Sequence, residues 1–237
     1  MSDVISVPPQ PPPPPPVPAK PAFDFVKPFA FVFQDPQWVS KILIGGLFEL
    51  AAIFIVGIFF VVGYNAQLAR NVIAGLESPL PEWDNLGGYF SEGLKLAVIV
   101  LIYTLPLIIF AVAVFVPAVM MAGSSHDALS NLGGVMMTCA WCIFFPLSLL
   151  FAFYIQGALL FAVVERDFGA AFQVGRILGF IRDNLGNYIV AFVVYLVARF
   201  AAPLGLILCC IGVVFTSFWA LLVATHGFAQ AWRLSKA

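Results

Sequence analysis

Two cysteine pairs, one carboxylate inside an apolar run and one Ser-Ser-His-Asp stretch are the residues of this 237-residue chain whose types could do chemistry. Cys139 and Cys142 form a C-x-x-C around Ala140-Trp141, and Cys209-Cys210 are adjacent far along the chain. Paired thiols at one membrane depth could exchange electrons with a quinone or hold a soft metal such as Cu(I). Against this, cysteine is a small side chain that favours burial, and no neighbouring cation promotes the thiolate. Glu49 lies within an apolar block, where a charge at the bilayer centre costs about 2.5–3.5 kcal/mol. It reads either as a cation or proton site on a transport path or as a protonated or paired residue that fixes packing. Gln156 is polar but neutral, and Arg199 stands near the end of a block. Ser124-Ser125-His126-Asp127 has the letters of a triad, but immediate neighbours cannot align three side chains for proton relay, so it reads as a turn. There is no H-E-x-x-H, G-x-S-x-G or phosphate-binding glycine loop. His126 and His226 are expected on opposite membrane sides, so they share no metal. The expectation is a chain without catalytic, cofactor or metal residues.

The elements that must position these residues are long apolar helices. Leu96–His126, Ala128–Val164 and Phe200–Trp232 carry no charge over roughly 31, 37 and 33 positions, where about 20 suffice to cross a bilayer. Hydrophobic residues make up 62%, charged residues only 10%, and mean hydropathy is +1.02. Soluble domains carry about a quarter charged residues, so a soluble class is excluded. A net charge of -1 offers no surface for neutralising phosphates along nucleic acid, which removes that class of partner. The four cysteines sit in apolar blocks rather than in a spaced extracellular framework. No cleavable signal peptide is evident, because the first apolar run begins near Ile42.

Residues 1–22 read as a disordered proline-rich tether, with Pro11–Pro16 unbroken. In polyproline II geometry it would reach roughly 40 Å at about 3.1 Å per residue, as a plain spacer or as a ligand for a proline-recognising partner. Residues 23–237 read as an all-α polytopic membrane domain with apolar blocks at about 42–64, 94–121, 135–164, 185–202 and 204–225. Interfacial elements are expected at about 76–93 and 167–184. Asp35-Pro36 is a helix-start pattern, and Asp167 is placed to cap an amphipathic helix along the membrane surface. Arg166, Arg176 and Arg182, and again Arg233 and Lys236, mark cytoplasmic sides, including the C-terminus. Arg199–Gly205, with Pro203, is the expected outer turn of the last two crossings. Under this alternation a single crossing by residues 42–64 would put Lys20, Lys27 and Lys41 outside. A hairpin turning near Ala51–Gly57 keeps them inside, although no proline forces that turn.

Gly75–Asn85 contains Pro79-Leu80-Pro81-Glu82-Trp83-Asp84, a stiff elbow whose tryptophan suits the headgroup zone and whose Asp84 is placed to cap the next helix. Together with Asp35-Pro36-Gln37-Trp38, Gly63-Tyr64, Arg70-Asn71-Val72, Gly93-Leu94-Lys95 and the His226-Gly227 end, this elbow resembles the prokaryotic multi-pass membrane family known as domain of unknown function 4013. The resemblance implies a helical fold in a prokaryotic inner membrane and brings no established activity. The functional readings are therefore a non-enzymatic scaffold or interaction protein first, then a small-solute or ion carrier using Glu49, then a thiol redox or copper function.

Overall fold

The computed structural model describes residues 22–208 and 211–236, so the proline-rich stretch through residue 21 and the Cys209-Cys210 pair lie outside it. Among the described residues there is no strand, and five helices are long and apolar enough to cross a membrane. The chain is an all-α, polytopic membrane protein.

A short helix, α1 (Lys27–Gln34), starts where the Asp24 carboxylate accepts the amides of Val26 and Lys27. It ends at Asp35, whose extended backbone is what a following proline demands. The chain then turns by 108° into α2 (Trp38–Ala51). Asp35 and Pro36 therefore make the corner and do not start α2. Asp35 accepts the Gln37 amide, and the helix begins two residues after the proline.

The first apolar block is broken. After α2 a 3-10 turn, Ala52–Phe54, leads through Ile55 at φ 68° into α3 (Val56–Ala74). A β-branched residue in the left-handed region is strained. Packing shows that the chain folds back here. Phe48 stacks on Phe60 with centroids 4.7 Å apart, whereas twelve residues of continuous helix would separate them by about 18 Å. A Cβ on Gly57 would overlap the Phe48 carbonyl, so only glycine lets the arms approach so closely. α2 runs against α8 (Gly212–Ser235), with Gly45 and Gly46 under Phe218 and Phe215, while α3 runs with it, from Asn65 beside Thr225 to Gly75 beside Arg233. Both ends of the hairpin thus lie at one end of the molecule, the charged end. The turn itself presents Ile53 and Phe54, 74% and 78% exposed, a composition suited to lipid and not to water.

Two very long helices follow, α4 (Leu86–Ala122) and α5 (Asp127–Glu165). Their 37 and 39 residues correspond to about 55–58 Å of helix, nearly twice a hydrocarbon core of about 30 Å. They pack on each other through Tyr103–Tyr154, Phe110–Phe144 and Phe115–Trp141, and Gly133 lies against the Ala118–Ala122 backbone. Asn85, and not Asp84, caps α4 by accepting the Gly88 amide.

The segment expected as one surface helix is two pieces, a 3-10 turn (Gly169–Phe172) and α6 (Val174–Asp183). Asp167 accepts the Gly169 amide and so caps the 3-10 turn, leaving α6 uncapped by any side chain. α6 packs on the bundle end: Ile177 and Ile181 are buried, and Phe180 lies 4.7 Å from Trp232. α7 (Leu185–Ala201) and α8 close a second hairpin through a 3-10 turn, Ala202–Leu208, where the Thr216 hydroxyl donates to the Ala202 carbonyl at 2.6 Å.

This topology predicts the outcome of thiol labelling in intact cells, on a background lacking native cysteines. Cysteines replacing Asp24, Glu77 and Ser235 should react from one side of the membrane, and a cysteine replacing Ser125 from the other. Labelling of position 24 from the Ser125 side would contradict the hairpin.

Candidate functional site: the polar elbow

The elbow between α3 and α4 contains no helix, and its path is set by the groups its carbonyls meet. Pro79 and Pro81 lack amide donors and have fixed φ, so the local chain cannot satisfy its own carbonyls. Each is matched from another element. The Asn71 amide donates to Pro79 O at 2.8 Å, the Lys41 ammonium to Leu80 O at 3.3 Å and the Tyr64 hydroxyl to Pro81 O at 2.8 Å. The Tyr89 hydroxyl donates to Glu82 O at 2.6 Å, and the Trp83 indole N–H to Lys41 O at 3.1 Å. The Trp83 ring lies nearly parallel to Tyr64 and to Phe48, with centroids 4.1 and 5.0 Å away. One side chain of the elbow thereby touches both arms of the hairpin.

Lys41 is the hub of this arrangement. Its residue is 4% exposed, and its ammonium meets Asp35 Oδ2 at 2.8 Å, Glu82 Oε1 at 2.7 Å and Leu80 O. Three donors find three acceptors. Asp35, also 4% exposed, accepts in addition from the Gln37 amide and the Ser78 hydroxyl. Burial alone would raise the Asp35 pKa, but the hydrogen bonds from Lys41, Gln37 and Ser78 and the Lys41 charge outweigh it and hold the carboxyl below the usual range. Glu82 is more than half exposed, so its share of the ion pair is small.

Arg70 makes a second junction. It forms a two-pronged pair with Glu92 of α4, Nη1 to Oε2 at 2.8 Å and Nη2 to Oε1, and its Nε donates to Val163 O of α5 at 3.1 Å. Three helices meet on one guanidinium, a geometry that suits its planar fork.

Of the residues singled out in the sequence, Asp35, Asn71, Pro79, Pro81, Glu82 and Trp83 converge on this cluster. Trp38 packs edge-on against Phe33 at 5.1 Å beside the Pro36 corner, and Asp84 makes no hydrogen bond among the described residues. Glu49 is half-buried on α2. It makes no ion pair with Arg199 of α7 or with any other cation among the described residues. Gln156 is apart from both, in a largely apolar crevice of about 150 Å³ with Asn65 and Thr225. Cys139 and Cys142 are free and exposed on α5. Among the described residues no three His, Cys, Asp or Glu side chains converge. His226, 2% exposed, lies 4.4 Å from Phe31.

Sequence reasoning missed Lys41, Tyr64, Tyr89 and Glu92 as partners. Lys41 had a usable signal, a cation in the first turn of an apolar helix six residues after an aspartate.

Lys41→Met strands a buried carboxylate and should cost about 3–5 kcal/mol, read as a lowered thermal midpoint in detergent. Adding Asp35→Leu should recover part of that loss, and a fully additive double variant would show that the pair is not coupled. The Asp35 contribution is complete above the unfolded aspartate value of about 3.9 and disappears as pH falls through the lower folded value. Acid titration of stability should therefore show a step that Asp35→Asn removes.

No curated protein and no solved structure matches this chain. A family described as "Protein of unknown function (DUF4013)" matches residues 47–236, a span that takes in Arg70, Asn71 and the whole elbow but stops short of the Asp35–Trp38 corner. By that match, covering most of its length, the chain belongs to the DUF4013 family.

Proposed function

We propose that this protein is a non-enzymatic scaffold of a prokaryotic inner membrane, with its charged end and C-terminus in the cytoplasm, and that it engages partner proteins through the α4–α5 arm. The observation that carries this reading is the arm itself. Distal to Tyr103 its aromatic contacts run only between α4 and α5 or within α5, and Ile109, Val112, Val116, Val119 and Met120 are all exposed. At about 55–58 Å the two helices outreach a hydrocarbon core of about 30 Å, so lipid cannot cover the whole arm, and apolar surface left beyond the bilayer suits a protein partner. The orientation is supported by Arg70, Lys95, Arg166, Arg176, Arg182 and Arg233, which gather at the end of the molecule away from the Gly123–His126 turn; the opposite end has Arg199 in the last turn of α7, and the turn itself has no cation.

The polar cluster supports a structural role for the family-like residues, since its donors and acceptors are matched to one another instead of being arrayed around an open site. Glu49 is not among the residues around the Gln156 crevice, which favours scattered polar residues over a continuous carrier path.

A photo-crosslinking residue placed in turn at Ile109, Val112, Val116, Val119 and Met120, which share one helical face, should trap a discrete polypeptide in cells, with weaker trapping from Val114, which is turned toward α5 with the buried Ala118. Lipid adducts alone, or equal trapping from every position, would refute the scaffold reading.

A further inference from the structure

Beside the Arg70–Glu92 pair is a cavity of about 420 Å³, bounded by the start of α4, the middle of α3 and the turn that follows α5. Five charged side chains line it: Arg70, Glu92, Lys95, Arg166 and Asp167. Their electrostatics do not cancel. Three cations face two carboxylates: Glu92 is paired with Arg70, and Asp167 keeps its charge while accepting the Gly169 amide at 3.1 Å, which leaves the lining one positive charge in excess. Lys95 and Arg166 have no carboxylate partner among the described residues. The first turn of α4 adds to the same sign, since Asn85 takes only the Gly88 amide and the helix dipole presents its positive end there.

The surroundings of this cationic pocket are partly apolar. Leu96, Ile99, Ala162 and Phe168 form the apolar part of its wall beside the polar Gln67 and Ser91, and next to it along α4 Leu94, Val98, Leu101 and Ile102 are exposed toward the bilayer. A polar, positive recess at the edge of a lipid-facing helix has the form of a receptor for an amphiphile whose anionic head is compact. Arg166 ends α5 at φ 53°, a conformation that glycine adopts without a Cβ penalty.

We propose that this cavity binds a phosphate group, carried on an anionic lipid headgroup or free in solution, with Lys95 and Arg166 as its charged ligands. Arg70 is a positioning residue, already held by Glu92 and by the Val163 carbonyl.

The test uses the full chain, purified in detergent and stripped of lipid. One arm measures retention of phosphatidylglycerol against phosphatidylcholine by native mass spectrometry, and the other titrates inorganic phosphate while following thermal stability. Lys95→Gln with Arg166→Gly should weaken binding by about tenfold or more, because two charge-assisted contacts are lost. Arg166→Gly suits the left-handed backbone, so the fold is preserved, and helical circular dichroism checks this. If the double variant fails to fold, Lys95→Gln alone carries the comparison. Arg176→Gln, which alters a cation outside the cavity, should bind as the native protein does. Selective retention of phosphatidylglycerol assigns the lipid headgroup, and a response to inorganic phosphate alone assigns the free ion. Binding of neither ligand, equal binding by the native chain and the Lys95/Arg166 variants, or an equal loss in Arg176→Gln would overturn the proposal.

Discussion

A buried ammonium cannot be left unmatched, and much of this architecture follows from where Lys41 finds its partners. Its three protons are taken by the α1–α2 corner through Asp35 and by the elbow through Glu82 and Leu80 O. Those segments are about forty residues apart in sequence, so one side chain fixes where α2 starts relative to where α3 and α4 meet. The stack of Phe48, Trp83 and Tyr64 then fills the space beneath with aromatic surface. Such an ion pair is not in itself a large source of stability, because desolvation offsets most of the attraction. Its effect is specificity: alternative placements of α2 would leave either a charge or a row of proline-flanked carbonyls without partners.

The two halves of the molecule are built differently. Around α2, α3, α7 and α8 the packing is dense and depends on small residues. Phe218 and Phe215 seat on Gly45 and Gly46, Val194 and Ala198 share a small core with Ala220 and Val223, and the Gly63 backbone lies directly on Tyr89. In membranes, where apolar surface gains little by leaving lipid, close backbone approach and buried hydrogen bonds such as Thr225 to Asn65 take over as the associating forces. Beyond Tyr103 the α4–α5 arm has fewer of both: Gly133 lies on the Ala118–Ala122 backbone, Ala118 and Ala140 are buried, and the Ser130 hydroxyl donates to the Ala122 carbonyl at 3.0 Å. It is held by aromatic contacts between its own two helices.

Much of this fold was legible before any coordinates, for a physical reason. Charge is excluded from the hydrocarbon, so the charge-free stretches had to be helices and the gaps had to be their ends. The elbow was legible as well, because two prolines around a leucine followed by Glu-Trp-Asp leave little conformational freedom. Partners were not. Nothing in the order of residues says that Lys41 would meet Glu82 or that Arg70 would reach Glu92, since these contacts depend on how helices cross. The capping assignments at Asp35 and Asp84 were one to three residues out for different reasons: at α4 the adjacent Asn85 supplies the acceptor, whereas at α2 Asp35 is spent on the Gln37 amide in the corner and the helix starts without a side-chain cap. The break at Ile55 was hardest to see, because neither proline nor glycine occupies the turn itself.

That break bears on how the chain enters a membrane. A helical pair normally has to drag a polar loop through the hydrocarbon before its tip can settle on the far side. Here the tip is Ile53-Phe54-Ile55-Val56, its amides are bonded within the turn at Ile55 and Ile58, and the nearest ionisable group is Glu49. Nothing hydrophilic beyond that one carboxyl has to be moved, so α2 and α3 can sink into the bilayer as a wedge from the side that holds both their ends. The strain stored at Ile55 is then the cost of an insertion route that requires no translocation.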